Sequence, residues 1–224
     1  MNIKPIVVLL AFSVLMLTAC DESEINRDFY LSHVAAAPYE VEGLRRRILF
    51  CDECLKGNVC DLNDETQCRV ITLPDRNKAL NLAMIRPNTE AVFLLVDVAK
   101  TDVNGTSGEY HETPLMIAAY YGTQKHKQIA EYLISKGADV NSVSLSTDNT
   151  ALLTAIWKNN IDFAIFLLKN GTNPSLTPKG EKIGYACNYA INRNRLNFIP
   201  VIPDCCSLVI HNSKSTDEMK SYCR

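Results

Sequence analysis

The chain has little net charge and no recognisable reaction chemistry. Its formal charge is −2 over 224 residues, so it has no single-sign field to steer nucleic acid, and no nucleic-acid partner is expected. No Gly-x-Ser-x-Gly elbow, P-loop or Gly-x-Gly-x-x-Gly fingerprint occurs. Gly105-Thr-Ser-Gly108 reads as a turn, because no strand-to-helix context with a lysine follows. The four histidines, His33, His111, His126 and His211, belong to no His-Glu-x-x-His or other paired-ligand motif. These absences point away from an enzyme and imply neither a cofactor nor a metal. Long apolar runs are also missing. Ile6–Leu17 has 12 residues, with Ser13 as its one polar member. A helix of that length spans about 18 Å, against roughly 30 Å of bilayer hydrocarbon.

That run is instead expected to be the apolar stretch of a signal peptide behind Lys4. It ends in Leu17-Thr18-Ala19-Cys20, which resembles the bacterial lipobox. The resemblance implies cleavage after residue 19 and a lipidated Cys20 as the mature N-terminus. Asp21 resembles the signal that holds a lipoprotein in the inner membrane, facing the periplasm.

Cysteine usage agrees with export. Besides Cys20, eight cysteines remain: Cys51, Cys54, Cys60 and Cys68 in one group, and Cys187, Cys205, Cys206 and Cys223 in another. An even count in an oxidising compartment reads as disulfides, although eight cysteines allow 105 pairings. Zinc is the rival reading, because Cys51-x-x-Cys54 has ligand-like spacing, but the gaps to Cys60 and Cys68 do not repeat the pair.

With 47% hydrophobic residues the chain suits one folded domain with short extensions. Residues 21–76 carry 12 acidic and 7 basic side chains, and residues 77–224 carry 13 and 15. Self-comparison exposes an internal repeat. One copy is Thr113-Pro-Leu-Met-Ile-Ala-Ala-Tyr-Tyr-Gly122 followed by Gln128–Leu133 and Gly137-Ala-Asp-Val-Asn141. The next is Thr150-Ala-Leu-Leu-Thr-Ala-Ile-Trp157 followed by Ile161–Leu168 and Gly171-Thr-Asn-Pro174. The step between them is 37 residues, and the extra length is placed at Thr123–Lys127, between the two helices. Weaker copies flank these, at Lys78–Asn104 and Tyr185–Phe198. In the first, Pro87-Asn88 stands where a glycine is usual. In the last, Pro200 and Pro203 cut the second helix short.

Local physics supports a helix–turn–helix unit. Thr113 and Thr150 suit N-caps, Pro114 suits the first helical turn, and Gly137 and Gly171 suit left-handed helix ends. Ile129, Tyr132 and Leu133, then Phe163, Phe166 and Leu167, fall at three-and-four spacing and give each second helix one apolar face.

The Thr113-Pro-Leu opening and the Gly137-Ala-Asp-Val-Asn closing resemble ankyrin repeats. The resemblance implies an all-α stack of about four repeats, with degenerate ends and disulfide-tied extensions. The expected boundaries are 1–19 signal peptide, 20–76 lipid-anchored Cys-rich extension, 77–204 repeats and 205–224 C-terminal cap. It also implies that a partner protein meets the ends of the first helices: Ile85 and Arg86, Tyr120 and Tyr121, Trp157 and Lys158, Asn192 and Arg193. Tyr110 and Glu112 are expected at a hairpin tip. Tyr120, Tyr121, Trp157, Lys158 and Arg193 should form one patch, being residue types that dominate interface hot spots.

Small exported ankyrin lipoproteins are similar to immunity proteins against phospholipase effectors of type VI secretion. That implies a free monomer that blocks a toxin sterically at the membrane. A general envelope scaffold, or a thiol-redox protection factor using Cys51 and Cys54, are the alternatives.

Overall fold

The computed structural model describes residues 73–177, 180–182 and 184–223. Cys20 with its signal peptide, and Cys51, Cys54, Cys60 and Cys68, lie outside the described residues. Four helix pairs follow one another. They are α1 (Leu73–Ile85) with α2 (Thr89–Phe93), α3 (Pro114–Tyr121) with α4 (Gln124–Ser135), α5 (Ala151–Trp157) with α6 (Ile161–Lys169), and α7 (Tyr185–Asn192) with a single 3-10 turn (Leu196–Phe198). Helices α8 (Cys205–His211) and α9 (Asp217–Ser221) close the chain. Two-residue strands β1 (Leu176–Thr177) and β2 (Gly180–Glu181) form a small antiparallel hairpin before α7.

The first helices stack on one another, α1 on α3, α3 on α5 and α5 on α7. Alanine at one equivalent position makes this close approach possible. Ala83, Ala118, Ala155 and Ala190 are all completely buried. Anything larger there would push neighbouring repeats apart, since interiors are packed at crystal density. The second helices seal the other side with Ile129, Leu133, Phe163, Phe166 and Leu167, all buried.

Each helix start is set by its own sequence. Thr113, Thr123 and Thr150 are extended, and each hydroxyl accepts a hydrogen bond from the backbone N–H three residues on, satisfying a donor the helix leaves open. Pro114 occupies the first turn of α3. Gly122, Gly137 and Gly171 have φ of 61°, 92° and 86°, which a side chain resists. Where Pro87-Asn88 replaces the usual glycine, Asn88 caps α2 instead, its Oδ1 accepting from the Ala91 N–H at 3.2 Å. That helix then loosens into a π-turn over Leu94–Val98, which the residue pattern did not foreshadow.

One expectation is corrected. The residues Thr123–Lys127 do not form a longer loop between helices. Because Thr123 caps and α4 starts at Gln124, they lengthen the helix itself to 12 residues, against 9 in α6.

Successive repeats are tied by an asparagine ladder. Asn104 donates from Nδ2 to the Gly137 carbonyl (3.1 Å) and accepts at Oδ1 from the Asp139 N–H (2.7 Å). Asn141 repeats both bonds one unit later, to the Gly171 carbonyl (3.4 Å) and from the Asn173 N–H (2.7 Å). Each ladder residue is steadied by the residue two before it, Asp102 or Asp139, whose carboxylate accepts its backbone N–H.

At the C-terminal end Pro200 and Pro203 follow the 3-10 turn, and no full second helix forms. Disulfides close the gap. Cys187 of α7 is bonded to Cys205 of α8, and Cys206 to Cys223, each with Cα atoms 5.3 Å apart. Both pairings fall within the C-terminal cysteine group. Cross-links closing loops of this size stabilise by about 3 kcal/mol each through the unfolded state.

Candidate functional site: an aromatic and cationic strip

The C-terminal ends of α3, α5 and α7 bring the expected patch together. The Tyr120 ring packs edge-on against Tyr121, centroids 5.1 Å apart, and against Trp157 of the next repeat at 5.9 Å. Lys158 Nζ lies 4.0 Å from the Tyr120 centroid and 5.2 Å from that of Trp157. The Arg193 guanidinium stands 5.9 Å from Trp157 and 5.0 Å from Tyr189. Cations over ring faces are attracted by the ring quadrupole, worth about 0.5–1 kcal/mol where solvent is near. The side chains are thus arranged before any partner arrives. Trp157 is 39% exposed and Tyr121 40%. Trp157 is neither a free knob nor a core residue: one face meets its neighbours and the other meets solvent.

The strip rests on polar ties between repeats. Asn160 donates from Nδ2 to the Ala119 and Tyr120 carbonyls, at 2.8 and 3.1 Å. These are last-turn carbonyls of α3 that have no partner within the helix. Arg195 donates to the Trp157 carbonyl at 3.2 Å. All three bonds cross from one repeat to the next and fix where Tyr120 and Trp157 stand.

Two supporting residues were not anticipated. Tyr189 supplies a second ring under Arg193, and its spacing of four on one helix was a usable signal. His126 is buried, and its ring stacks on Tyr121 with centroids 5.0 Å apart and planes 12° apart. Its Nε2 lies 2.9 Å from the Met84 carbonyl and its Nδ1 2.6 Å from Thr123 Oγ1. A carbonyl can only accept, so Nε2 carries the proton and Nδ1 accepts from the hydroxyl. The neutral ring satisfies every contact, and burial lowers its proton affinity below the ordinary histidine range. No residue pattern foretold this, because Met84 is 42 residues away.

Ile85 ends the equivalent first helix at the other end of the stack and is 41% exposed; Arg86 next to it, and Asn192 next to Arg193, are exposed too. Tyr110 and Glu112 do not join the strip. They precede α3, whose eight residues separate them from Tyr120 by about 12 Å. Tyr110 is 58% exposed, but its carbonyl is engaged by Ser144 Oγ at 2.7 Å. Glu112 is partly buried, its backbone bridges to Ser107, and its carbonyl accepts from Asn81 Nδ2 at 3.0 Å. Burial raises its carboxyl above the usual range. On the far side of the stack, Lys136 pairs with Asp97 at 2.7 Å. That bond holds the Asp97 carboxyl low, while burial and the nearby carboxylate raise the Tyr132 hydroxyl.

The matching family model is that of ankyrin repeats in three copies, and it covers residues 48–144 and 80–178. Over 109 residues the chain is 40% identical to the ankyrin repeat and KH domain-containing protein mask-1 of Caenorhabditis elegans, covering 49% of this chain and 4% of that protein. Over 87 residues it is 36% identical to a putative ankyrin repeat protein of Rickettsia felis, covering 39% of this chain and 37% of the relative. Over 104 residues it is 35% identical to the putative ankyrin repeat protein FPV031 of fowlpox virus, covering 46% and 29%. The chain therefore spans well under half the length of each of these relatives. Stacked repeats of this kind form extended surfaces for binding other proteins. From its matching repeats and its stacked helix pairs, the chain belongs to the ankyrin repeat family.

Proposed function

We propose that this chain is an exported, lipid-anchored protein that neutralises a partner protein by covering it, with the strip from Tyr120 to Arg193 as the contact surface. The observation that carries the reading is the strip itself. Tyr120, Tyr121 and Trp157 form one half-exposed aromatic row with Lys158 and Arg193 laid over the rings. Tyrosine, tryptophan and arginine are the residue types that anchor interfaces. The mechanism is steric, and the chain contributes recognition rather than reaction chemistry.

Two features support the export reading. Both disulfides of the C-terminal region belong to an oxidising compartment. The lipobox-like Leu17-Thr18-Ala19-Cys20 implies an anchor, and Asp21 favours the inner membrane with the domain facing the periplasm. A membrane-attacking toxin has to be stopped at the membrane surface, and an anchored binder is held there. An antibacterial effector of phospholipase type, met by the free monomer, is the partner proposed.

The test is capture from the native envelope by the wild-type chain and by Trp157→Ala, with metabolic palmitate labelling alongside. A captured protein encoded beside this chain, lost with Trp157→Ala, is the expected result. Undiminished capture by folded Trp157→Ala refutes the contact surface. A wild-type chain that takes up no label, or labels equally as Cys20→Ser, refutes the anchor.

A further inference from the structure

Each helix pair contributes its inter-helix turn, with the residues on either side of it, to one edge of the stack, comprising residues 85–91, 120–127, 157–163 and 192–197. Read together, these turns contain six basic residues, Arg86, Lys125, Lys127, Lys158, Arg193 and Arg195, against two acidic ones, Glu90 and Asp162. The opposite edge has the reverse character. The first two hairpin tips, residues 101–112 and 138–149, contain five acidic residues and no lysine or arginine. Over the first three helix pairs the described residues are therefore positive on one edge and negative on the other.

Lys158 and Arg193 have no carboxylate partner among the described residues, and both are aligned over aromatic faces instead. They stand 5.2 and 5.9 Å from the same indole centroid, so their charges lie within about 11 Å of one another. Lys136 shows the alternative: it also lies near a ring, that of Tyr132, but is paired with Asp97.

We infer that this edge recognises an acidic segment of the partner protein, extended, with carboxylates two residues apart on the face turned to the strip. This rests on the strip being the contact surface, and it adds the chemistry of what the strip contacts. In an extended chain, positions two apart are separated by about 7 Å, which lies inside the limit that the shared Trp157 ring sets on the two cations. The methylenes of those acidic side chains then lie against Tyr120, Trp157 and Tyr189, because side chains two apart share one face of an extended segment. Carboxylates replace the missing counter-charges of Lys158 and Arg193 with charge-assisted hydrogen bonds, bidentate for the guanidinium. The acidic tips repel the same segment, so it binds on one edge only.

Trp157 is the chain's single tryptophan, which makes its fluorescence a local reporter. The full chain, disulfides formed, is titrated with a peptide alternating Glu and Leu and with its Gln–Leu counterpart, each up to about 1 mM. The acidic peptide should change Trp157 emission at least tenfold more tightly than the neutral one, and its affinity should fall as salt rises. Lys158→Glu with Arg193→Glu should weaken it by tenfold or more. Lys158→Gln with Arg193→Gln, whose fold is checked by a thermal melt, should weaken it less. Glu109→Ala at a tip should leave it unchanged.

Equal binding of both peptides, or no Trp157 response to the acidic one, overturns the inference. So does binding to phosphatidylglycerol vesicles without binding to the peptide, which would assign the edge to a lipid surface. A captured partner lost with Trp157→Ala, but insensitive to salt and to the charge reversal, retains the contact surface and discards the acidic segment.

Discussion

Gly122→Ala is a small change aimed at the joint between two repeats. Gly122 ends α3 with φ of 61° and ψ of 15°. An alanine in that left-handed region costs about 1–2 kcal/mol by itself. A Cβ there would also stand 2.9 Å from Asn160 Cβ and closer still to the Asn160 amide. The contact with the amide carbon is cleared only by swinging the amide away about Cα–Cβ, and the contact with Cβ by a small backbone shift. The side chain has to leave, and with it go its bonds to the Ala119 and Tyr120 carbonyls. At about 1 kcal/mol net for each bond, the total is about 3–4 kcal/mol.

Gly137→Ala is the control. It has φ of 92° but nothing within 4 Å of its added Cβ, so only the backbone term remains, about 1–2 kcal/mol. Urea unfolding followed by circular dichroism should place the two variants about 2 kcal/mol apart. Asn160→Ala alone should cost about 2 kcal/mol, for the same two bonds. The double variant should cost about as much as Gly122→Ala, because the bonds can be lost only once. Equal costs for the two glycine variants, or full additivity with Asn160→Ala, would refute the joint as described.

Other outcomes follow from the same geometry. Non-reducing peptide mapping should recover Cys187–Cys205 and Cys206–Cys223, and Cys187→Ser with Cys205→Ser should lower stability by about 3 kcal/mol; crossed pairings would contradict the packing of α8 on α7. Acidification should weaken the fold through His126. Its folded proton affinity is depressed by burial, so the contribution is complete above the ordinary histidine value of about 6.5 and is lost as pH falls below it. The melting temperature of wild type should therefore drop more between pH 7 and 5 than that of His126→Gln, and parallel curves would count against the neutral ring. Trp157→Ala should weaken capture of the partner about thirtyfold, as a hot-spot truncation does.

What could be read from the residues was what repeats. Thr113, Thr150, Gly137 and Gly171 act on backbone within a few residues of themselves, so spacing alone placed the caps. Equivalent positions align, so Tyr120, Trp157 and Arg193 could be grouped before any coordinates. The remainder depends on contacts between distant residues. His126 meets Met84, and Asn160 meets the end of α3; neither partner is marked by spacing. The displaced Thr123–Lys127 segment shows the limit most directly. The extra length was evident, but a threonine can cap a helix or sit in a loop, and only the hydroxyl's acceptance of the His126 N–H decides between them. The π-turn at Leu94–Val98 is similar, since its apolar residues fit an ordinary helix equally well.

The two described disulfides give the described part of the chain unequal resistance to being stretched. A chain held at one end and tugged through a bound partner carries the tension along its length. Across most of the described stack the repeats are joined by packing and by non-covalent ties such as the Asn104, Asn141 and Asn160 bonds, so they would peel apart one at a time. The segment from Cys187 to Cys223 behaves differently, because its bridges short-circuit spans of 18 and 17 residues. At about 3.5 Å per extended residue, some 120 Å of contour is withheld from extension there. In a single-molecule pull the oxidised protein should come up short by that length, and a reductant should restore it.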